Sequence, residues 1–309
     1  MSSRVTTRHV PKALPHRIEW VTVGLFAGCV MTLCVGVGAL AAVPLVASVV
    51  IVLALVLHAA RSHEVLHGHP FPWRRLNEAL VIVNPGLFIP YIRFRDTHLA
   101  HHQDANLTDP YDDPETNYLD PAVWAALPRW RRCVLGWNNT LLGRMMLGPV
   151  VAQSAFMAAD WRAIRDGDRQ VLLGWAAHVP GVALVLGLIA ASPMALWHYL
   201  ICCYAALSIL KIRTFLEHQA HEKTRGRTVI VEDRGLLSFL FLNNNFHVVH
   251  HMHPKVPWYR LPALYAAHRA RFLGCIDGYR YASYRDVFAR YAWRAKDPVP
   301  HPLWPSEGG

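Results

Sequence analysis

Two long stretches of the sequence lack acidic and basic residues altogether. Val21–Ala60 and Val171–Leu210 each run for forty residues without Asp, Glu, Lys or Arg. As a helix, such a stretch would extend about 60 Å, roughly twice the thickness of the hydrocarbon core of a bilayer. Turn-forming residues near the middle, Gly36 and Pro44 in the first stretch and Pro193 in the second, divide each one. Each stretch therefore predicts a hairpin of two membrane-spanning helices and is too long for a signal peptide.

Charged residues are also scarce in the chain as a whole. They make up 17% of the 309 residues, against about a quarter in soluble domains. The 31 Lys and Arg outnumber the 21 Asp and Glu, which suits an anionic membrane surface or a nucleic acid. No nucleic-acid-binding motif is present, and the apolar composition favours the membrane. None of the six cysteines forms a CxxC pair, so we predict free, buried thiols rather than a disulfide framework.

These features predict an all-α integral membrane protein that forms a single domain over residues 1–309. The expected membrane-spanning helices, in two hairpins, cover residues 19–39, 43–60, 171–190 and 194–212. The remaining segments, 61–170 and 213–309, should form a helical cap. Lys and Arg collect in the N-terminal segment and the cap but are missing from both hairpin turns. By the positive-inside rule, both termini and the cap are expected in the cytoplasm.

Two apolar segments are too short to cross a bilayer. They cover residues 79–92 and 145–159 and are expected to lie in the membrane interface or to pack as ordinary core helices. The loop 107–118, "LTDPYDDPETNY", is rich in turn-forming residues and is expected to be exposed or structural.

Histidine is abundant and clustered close to the predicted ends of the membrane spans. Eleven of the 19 histidines lie in four clusters: His63, His67 and His69; His98, His101 and His102; His218 and His221; His247, His250 and His251. Residues three and four apart share one face of a helix, so the sets at i, i+4 and at i, i+3, i+4 can each point at one centre. Neutral imidazole suits Zn, Fe, Cu and Ni. Eight histidines are too many for one metal ion but fit two, so the clusters predict a di-metal site.

The other histidines lack such partners. His58, His178 and His198 fall inside the predicted spans and are expected to form structural hydrogen bonds. His9, His16, His268 and His301 are expected on the surface. His69, the last histidine of the first cluster, and His253, just after the fourth cluster, are expected to lie outside the ligand set.

The three histidine boxes resemble those of the membrane fatty acid desaturase family, within the wider desaturase/hydroxylase superfamily. They read HxxxH at 63–67 and HxxHH at 98–102 and at 247–251, with two spans before the first box and two between the second and third. The segments "RTFLEH" (213–218) and "FLNNNFHVVHHMHP" (241–254) look like those of bacterial members. The resemblance covers residues 20–275 and implies a bacterial inner-membrane protein with a cytoplasmic active site.

The resemblance implies a non-haem di-iron centre that uses O₂ and two electrons to abstract hydrogen from an unactivated C–H bond. The implied iron ligands are His63, His67, His98, His101, His102, His247, His250 and His251, together with one histidine after the fourth span. Either His218 or His221 fits that position, and we favour His218. In some members an asparagine holds a metal-bound water, which makes Asn244 a candidate here.

The chemistry implies further residues and partners. Carboxylates beside the boxes, namely Glu64, Asp96, Asp104 and Glu217, are candidates for orienting the imidazoles, although plain surface roles fit equally well. The implied substrate is a lipid acyl chain. The sequence has no ferredoxin-like cysteine set or fused haem domain that we recognise, so the electrons are expected from a separate carrier, a ferredoxin or a similar protein, with its reductase.

Two other functions compete with acyl desaturation. A hydroxylase or ketolase acting on a lipid, carotenoid or alkane would begin with the same hydrogen abstraction, and the boxes do not separate these reactions. A metal transporter or zinc-dependent membrane hydrolase would also use histidines. A transporter, however, places its ligands near the middle of the membrane, whereas these clusters lie outside the predicted spans.

Overall fold

The computed structural model describes residues 17–102 and 104–304, except for the side chain of Asp104. The first hairpin and the segment after it form α1 (Trp20–Val37), α2 (Pro44–Leu66), α3 (Arg74–Ala79) and α4 (Tyr91–His101). The middle of the chain forms α5 (Pro121–Ala126), α6 (Arg129–Asn138), α7 (Leu141–Arg165), α8 (Arg169–Ala190) and α9 (Leu196–Thr214). The last part forms β1 (Ile230–Val231), α10 (Leu236–Leu240), α11 (His247–Met252), α12 (Leu261–Ala267), α13 (Arg269–Cys275), β2 (Arg280–Tyr281) and α14 (Tyr284–Tyr291). Single 3-10 turns cover Asp104–Asn106, Thr224–Arg227 and Trp258–Arg260.

The two predicted hairpins are present as α1–α2 and α8–α9. Helices α2 and α9 lie side by side, and Ser48 Oγ, near the start of α2, is 2.6 Å from His198 Nε2, near the start of α9. The two helices run in the same direction, because their other ends both lead to histidines that converge at one place. Both helices lead into histidine clusters, and we call this the histidine end of the bundle and the opposite one the turn end. Helix α2 continues to Leu66, beyond the predicted boundary at residue 60, so His63 extends from the same helix that forms the span.

Helix α7 is longer than the predicted segment 145–159. It has 25 residues, because Thr140 caps its N-terminus through Gly143 N and polar residues extend both ends of the apolar stretch. By length and apolar composition, the candidate membrane spans among the described helices are α1, α2, α7 and α8. Helix α9, which we predicted as a span, is not among these candidates; it carries Lys211 and Arg213 in its last turn.

The contacts of α7 nevertheless place both of its ends at the histidine end. At its start, Leu142 N donates to Ala292 O, four residues from Lys296, which donates to His218 O. At its other end, Asp160 accepts from both Arg93, in α4, and Trp175, in the first part of α8. Helix α8 starts at the histidine end, because it leads through a short turn into the turn-end start of α9. Helix α7 therefore lies across the bundle instead of traversing it.

The other short apolar segment, 79–92, is mostly irregular and penetrates between α7, α8 and α9. Unsatisfied carbonyl groups are costly inside a bilayer, so such a backbone needs hydrogen-bond donors from its neighbours. Side chains supply them: Tyr199 donates to Pro85 O, His178 to Leu87 O, Gln153 to Phe88 O and Asn84 to Ile89 O, at 2.7–2.8 Å. The segment is a re-entrant loop between α3 and α4, and its last residues start the helix that carries the second histidine box.

The C-terminal part folds over the histidine end. Strands β1 and β2 form a two-residue parallel pair, and Glu232 beside it accepts from Tyr265, Arg269 and Arg280. These hydrogen bonds of Glu232 tie the strands to α12 and α13. Val231 N donates to Asn245 O and Val248 N to Val229 O, which fixes α11 against β1. The third histidine box thus lies on a short buried helix held from both sides.

His58, His178 and His198 all form hydrogen bonds within the bundle, as predicted. The surface prediction was wrong for His301, which is buried beside Thr108. His9 and His16 lie outside the described residues. The thiols are free, but three of them are not buried as predicted, because Cys34 and Cys133 are exposed and Cys275 is half-buried.

Candidate metal centre

Nine histidines from four segments converge at the histidine end of the bundle. The end of α2 contributes His63 and His67, α4 and its C-cap contribute His98, His101 and His102, the segment after α9 contributes His218, and α11 contributes His247, His250 and His251. They form two groups whose potential ligand atoms lie within 4.8 Å of one another: His63, His67, His98, His102 and His250 in the first; His101, His218, His247 and His251 in the second. The groups adjoin, since the rings of His102 and His251 stack at 4.2 Å.

Within the groups, Nε2 atoms face Nε2 atoms. The distances are 3.0 Å between His98 and His102, 3.2 Å between His102 and His250, 2.8 Å between His101 and His218 and 3.1 Å between His218 and His247. Imidazoles that meet through the same ring atom leave lone pairs directed at a common point. A metal ion with Fe–N or Zn–N bonds of about 2.1 Å separates opposite ligand atoms by roughly 4 Å, which these groups can accommodate.

Buried polar atoms without hydrogen-bond partners also indicate that these groups can hold metal ions. The Nε2 atoms of His63 and His67 are buried and have no hydrogen-bond partner. Nearly all buried polar atoms in proteins have a partner, so a pair of orphans in one histidine cluster needs an explanation. Two metal ions, one in each group, would satisfy these atoms and remove the lone-pair repulsion. The donor set of nine imidazoles therefore fits a di-metal centre.

For two of these histidines, a carboxylate holds the opposite ring nitrogen. His98 Nδ1 lies 2.8 Å from Glu115 Oε1, and His101 Nδ1 lies 2.8 Å from Asp113 Oδ1. A carboxylate that accepts from Nδ1–H fixes the tautomer, so that the Nε2 lone pair points into the group. Both carboxylates come from the loop 107–118. This loop was expected to be exposed or structural, and its part in the site was not predicted from the sequence.

The four predicted orienting carboxylates have different surroundings. Glu217 lies 3.7 Å from His247 Nδ1 and 3.0 Å from Arg213 Nε. Glu64 lies 3.9 Å from His63 Nδ1 and accepts from Trp258 N. Asp96 is paired with its neighbour Arg95 at 2.7 Å. The side chain of Asp104 lies outside the described part of the chain.

The three consecutive asparagines before the third box have separate contacts. Asn243 adopts a left-handed conformation, with φ of 57°, which asparagine tolerates better than most residues. Asn244 lies between Glu217 and His247: its Nδ2 donates to Glu217 Oε1 at 3.3 Å, and its Oδ1 lies 3.1 Å from His247 Nδ1. Asn245 donates to Val231 O at 2.6 Å. Asn244 thus contacts the histidine that the resemblance makes a ligand.

The structure separates the two candidates after α9. His218 lies in the second group, whereas His221 lies away from it, with its Nε2 3.2 Å from Asp277 and its Nδ1 accepting from Lys223 N. His69, although buried, pairs with Glu19 at 2.6 Å. Neither His69 nor His253 belongs to the two groups.

Burial controls protonation in the cluster. It lowers the pKa of His67, His218, His247 and His250 well below the ordinary value, and the positive charge that neighbouring imidazoles would carry lowers it further. Burial also lowers the pKa of His101, but Glu115 and Asp113 outweigh it and raise that pKa to about 9. The same pairing works in reverse on Glu115: burial raises its pKa, and His98 and His101 together hold it well below its usual range. Mostly neutral imidazoles are the form that binds metal.

Comparison with known proteins agrees with this geometry. A family model described as "Fatty acid desaturase" matches residues 38–285, which contain all nine histidines. A beta-carotene ketolase of Paracoccus sp. (strain N81106 / MBIC 01143) is 26% identical over 211 residues, covering 65% of this chain and 71% of the relative. A second beta-carotene ketolase, from Paracoccus sp. (strain PC1), is 25% identical over 210 residues, covering 65% and 70%.

Proposed function

Because this chain belongs to the fatty acid desaturase family, we propose that it is a membrane oxidoreductase that uses two iron ions and O₂ to remove hydrogen from a long hydrocarbon chain. The observation that carries the proposal is the convergence of nine imidazoles in two adjoining groups at one end of an apolar bundle. Imidazole ligands suit iron, and iron with O₂ supplies the oxidising power that side-chain acids and bases lack.

The residues around the centre have roles that follow from their contacts. The proposed ligands are the nine grouped histidines, with His218 rather than His221 after α9. Asp113 and Glu115 hold His101 and His98 with Nε2 directed inward. Asn244 does the same for His247, and Asn244 itself donates to Glu217. These contacts fix the imidazoles before the substrate arrives, so little reorganisation is needed during the reaction. Burial of the cluster keeps bulk water away from the oxidising centre.

The substrate we propose is an acyl chain of a membrane lipid, which desaturation would leave with two hydrogens fewer. Two features support an apolar chain as the substrate. The histidine groups lie where α2 and α9 leave the apolar bundle, which places the centre close to the level at which the chains of membrane lipids begin. The loop 79–92 brings irregular backbone into the bundle, and such backbone usually borders a buried cavity or protein interior.

Oxygenation of a carotenoid is the second candidate. Both Paracoccus relatives are named as beta-carotene ketolases and align over about two thirds of this chain. A carotenoid, like an acyl chain, is a long apolar molecule held in the bilayer. Desaturation and oxygenation start with the same hydrogen abstraction, so the histidine geometry suits both equally.

We further propose that the histidine end faces the cytoplasm and that a separate ferredoxin-like carrier, with its reductase, supplies the electrons. The chain has more basic than acidic residues, 31 Lys and Arg against 21 Asp and Glu, and this excess supports both proposals. Lys and Arg are typical of cytoplasmic segments, and their positive charge would attract an acidic electron carrier.

Mass spectrometry of products tests the proposal. The protein is expressed with a ferredoxin and its reductase in two bacterial hosts, one with ordinary membrane lipids and one that accumulates β-carotene. Acyl chains that lack two hydrogens, absent with His101→Ala, are the expected result. A carotenoid that gains oxygen would establish the second candidate instead. About two irons per purified chain are expected, and zinc in their place would overturn the oxidoreductase proposal.

A further inference from the structure

Helices α5 and α6 form an arm, residues 121–138. The arm is attached to α7, the helix that lies across the bundle. The attachment is tight: Arg144, in the first turn of α7, donates to Asn138 O at 2.8 Å, and a Cβ at Gly143 would collide with Trp137 O. The start of α7 lies at the histidine end of the bundle. The arm is therefore held at that end, beside the level at which α7 lies across the bundle.

One face of α6 is apolar and uncovered. Trp130, Val134 and Trp137, spaced i, i+4 and i+7, are 63%, 36% and 38% exposed. This spacing aligns them along one side of the helix. Two large exposed tryptophans on a single short helix are unusual for a surface that faces only water, because the indole ring favours the boundary between water and hydrocarbon.

The apolar row continues along α7. Met146, Val150, Met157 and Trp161 follow at helical spacing and are 47–62% exposed. Since both ends of α7 lie at the histidine end, this row faces outward along the bundle near the level where the spans leave it. The uncovered face of α6 thus adds to an exposed apolar row near the level where the spans leave the bundle.

The charge of this region has one sign. Residues 121–159 contain no Asp or Glu. Arg129 and Arg131 are exposed, Arg132 is half-buried, and the Arg131 guanidinium lies 5.2 Å from the centre of the Trp130 ring. Arginines beside interfacial tryptophans are the side chains that bind anionic lipid headgroups, each contributing attraction near a negatively charged membrane surface.

We propose that the arm rests on the membrane surface at the histidine end and binds anionic phospholipid headgroups through Arg129, Arg131 and Arg132. The apolar row of Trp130, Val134 and Trp137 enters the boundary between headgroups and acyl chains, and the arginines stay at the level of the phosphates. An acidic protein would also suit the arginines. The continuity of the apolar row with α7 favours lipid as the occupant.

The exposed thiol of Cys133 allows a direct test in the intact protein. Cys34 and Cys275 are changed to serine, an NBD fluorophore is attached to Cys133, and the protein is placed in nanodiscs. The discs contain equal fractions of phosphatidylcholine and phosphatidylglycerol, with bromine on the acyl chains of one lipid or the other. Brominated phosphatidylglycerol is expected to quench NBD several-fold more than brominated phosphatidylcholine.

Charge removal separates headgroup binding from simple proximity. Replacing Arg129, Arg131 and Arg132 by glutamine should abolish the preference for phosphatidylglycerol while leaving quenching by both lipids. The matched control removes three exposed arginines from the C-terminal part, Arg271, Arg285 and Arg294, and should keep the preference. Iron content is measured in each variant to verify that the fold is intact.

Three outcomes would overturn the proposal. Equal quenching by both lipids in the parent protein would mean membrane contact without headgroup selectivity. Absence of quenching would mean that the arm faces water or a protein partner. Loss of the preference in the control variant would mean that the total charge of the protein, and not the arm, attracts the anionic lipid. None of these outcomes depends on catalytic activity.

Discussion

The Nδ1 atom of His101 lies 2.8 Å from Asp113 Oδ1, and both side chains are 2% exposed. Asp113 is itself fixed, since its carboxylate also accepts from Thr108 N and Glu115 N. This pair joins the second histidine box to a loop that follows it in the chain. It makes the loop a support of the proposed metal centre.

Neutralising that carboxylate should weaken metal binding. We expect Asp113→Asn to reduce iron affinity by about 10- to 100-fold, because the amide no longer fixes His101 in the tautomer that directs Nε2 at the metal. Iron retained during titration with a chelator measures the effect. Asp112→Asn, one residue away and exposed, is the matched control and should behave like the parent protein. Equal iron retention in the two variants would contradict the assigned role of Asp113.

The two histidines after α9 should differ in metal content. His218→Ala removes a member of the four-histidine group, so we expect about one iron to be lost per chain. His221→Ala should retain both irons, because that side chain contacts Asp277 and Lys223 outside the groups. Iron and protein are quantified on the same purified samples. Iron loss from the His221 variant alone would reverse our choice of ligand.

The metal-free protein should lose stability as the pH falls below about 6.5. The folded-state pKa values of His67, His102, His218, His247 and His250 are lowered, mainly by burial, so between those values and 6.5 the unfolded chain binds more protons than the folded one. Each such group contributes up to about 1.4 kcal/mol per pH unit.

The contribution of His101 to the pH dependence of stability has the opposite sign. Its pKa is raised to about 9, so its contribution is fully present below about 6.5 and disappears as the pH rises through 9. This single contribution to stability does not cancel those of the five histidines whose pKa is lowered. Thermal unfolding of chelator-treated protein between pH 7.5 and 5 should therefore show a steadily falling midpoint, with a smaller fall when iron is bound. A flat profile for the metal-free protein would mean that these imidazoles take up protons in the folded state over the same pH range as in the unfolded state.

Both ends of α7 should be accessible from one side of the membrane. A cysteine at exposed position Asp166, just after α7, and the native Cys133, before it, should react with a membrane-impermeant maleimide from the same side. Ala191→Cys, at the turn end, should react only from the opposite side. Each cysteine is tested singly in right-side-out and inverted vesicles, with the other exposed cysteines changed to serine. Labelling of positions 133 and 166 from opposite sides would show that α7 crosses the bilayer.

Much of the architecture was predictable because its signals are local. A forty-residue stretch without charge predicts a helical hairpin whatever surrounds it, and the hairpins α1–α2 and α8–α9 are present, although α9 is not among the candidate membrane spans of the described helices. Histidines at i, i+3 and i+4 share a helix face regardless of context, so the boxes could be recognised one by one. Their gathering into two groups agrees with the predicted di-metal site.

Other features could not be predicted from the sequence, because they depend on which residues come into contact in the folded structure. Asp113 and Glu115 lie 12 and 17 residues from the histidines they contact. They belong to an irregular loop, which has no helical or strand periodicity from which the direction of a side chain could be predicted. The one signal available was two carboxylates, two residues apart, soon after a histidine box. Asp96, two residues before the first histidine of the box, pairs with Arg95 instead, because residues two apart on a helix, such as Asp96 and His98, do not share a face.

Helix α7 shows the same division between local and tertiary information. Length and hydropathy qualify it as a span, and only its contacts at both ends show that it lies across the bundle. The sequence by itself determined the apolar hairpins and the histidine boxes, because hydrophobic run length and helical spacing are properties of contiguous residues. The tertiary structure alone decided how four segments combine into two histidine groups, which carboxylates hold them and how α7 lies, because those contacts join residues far apart in the chain.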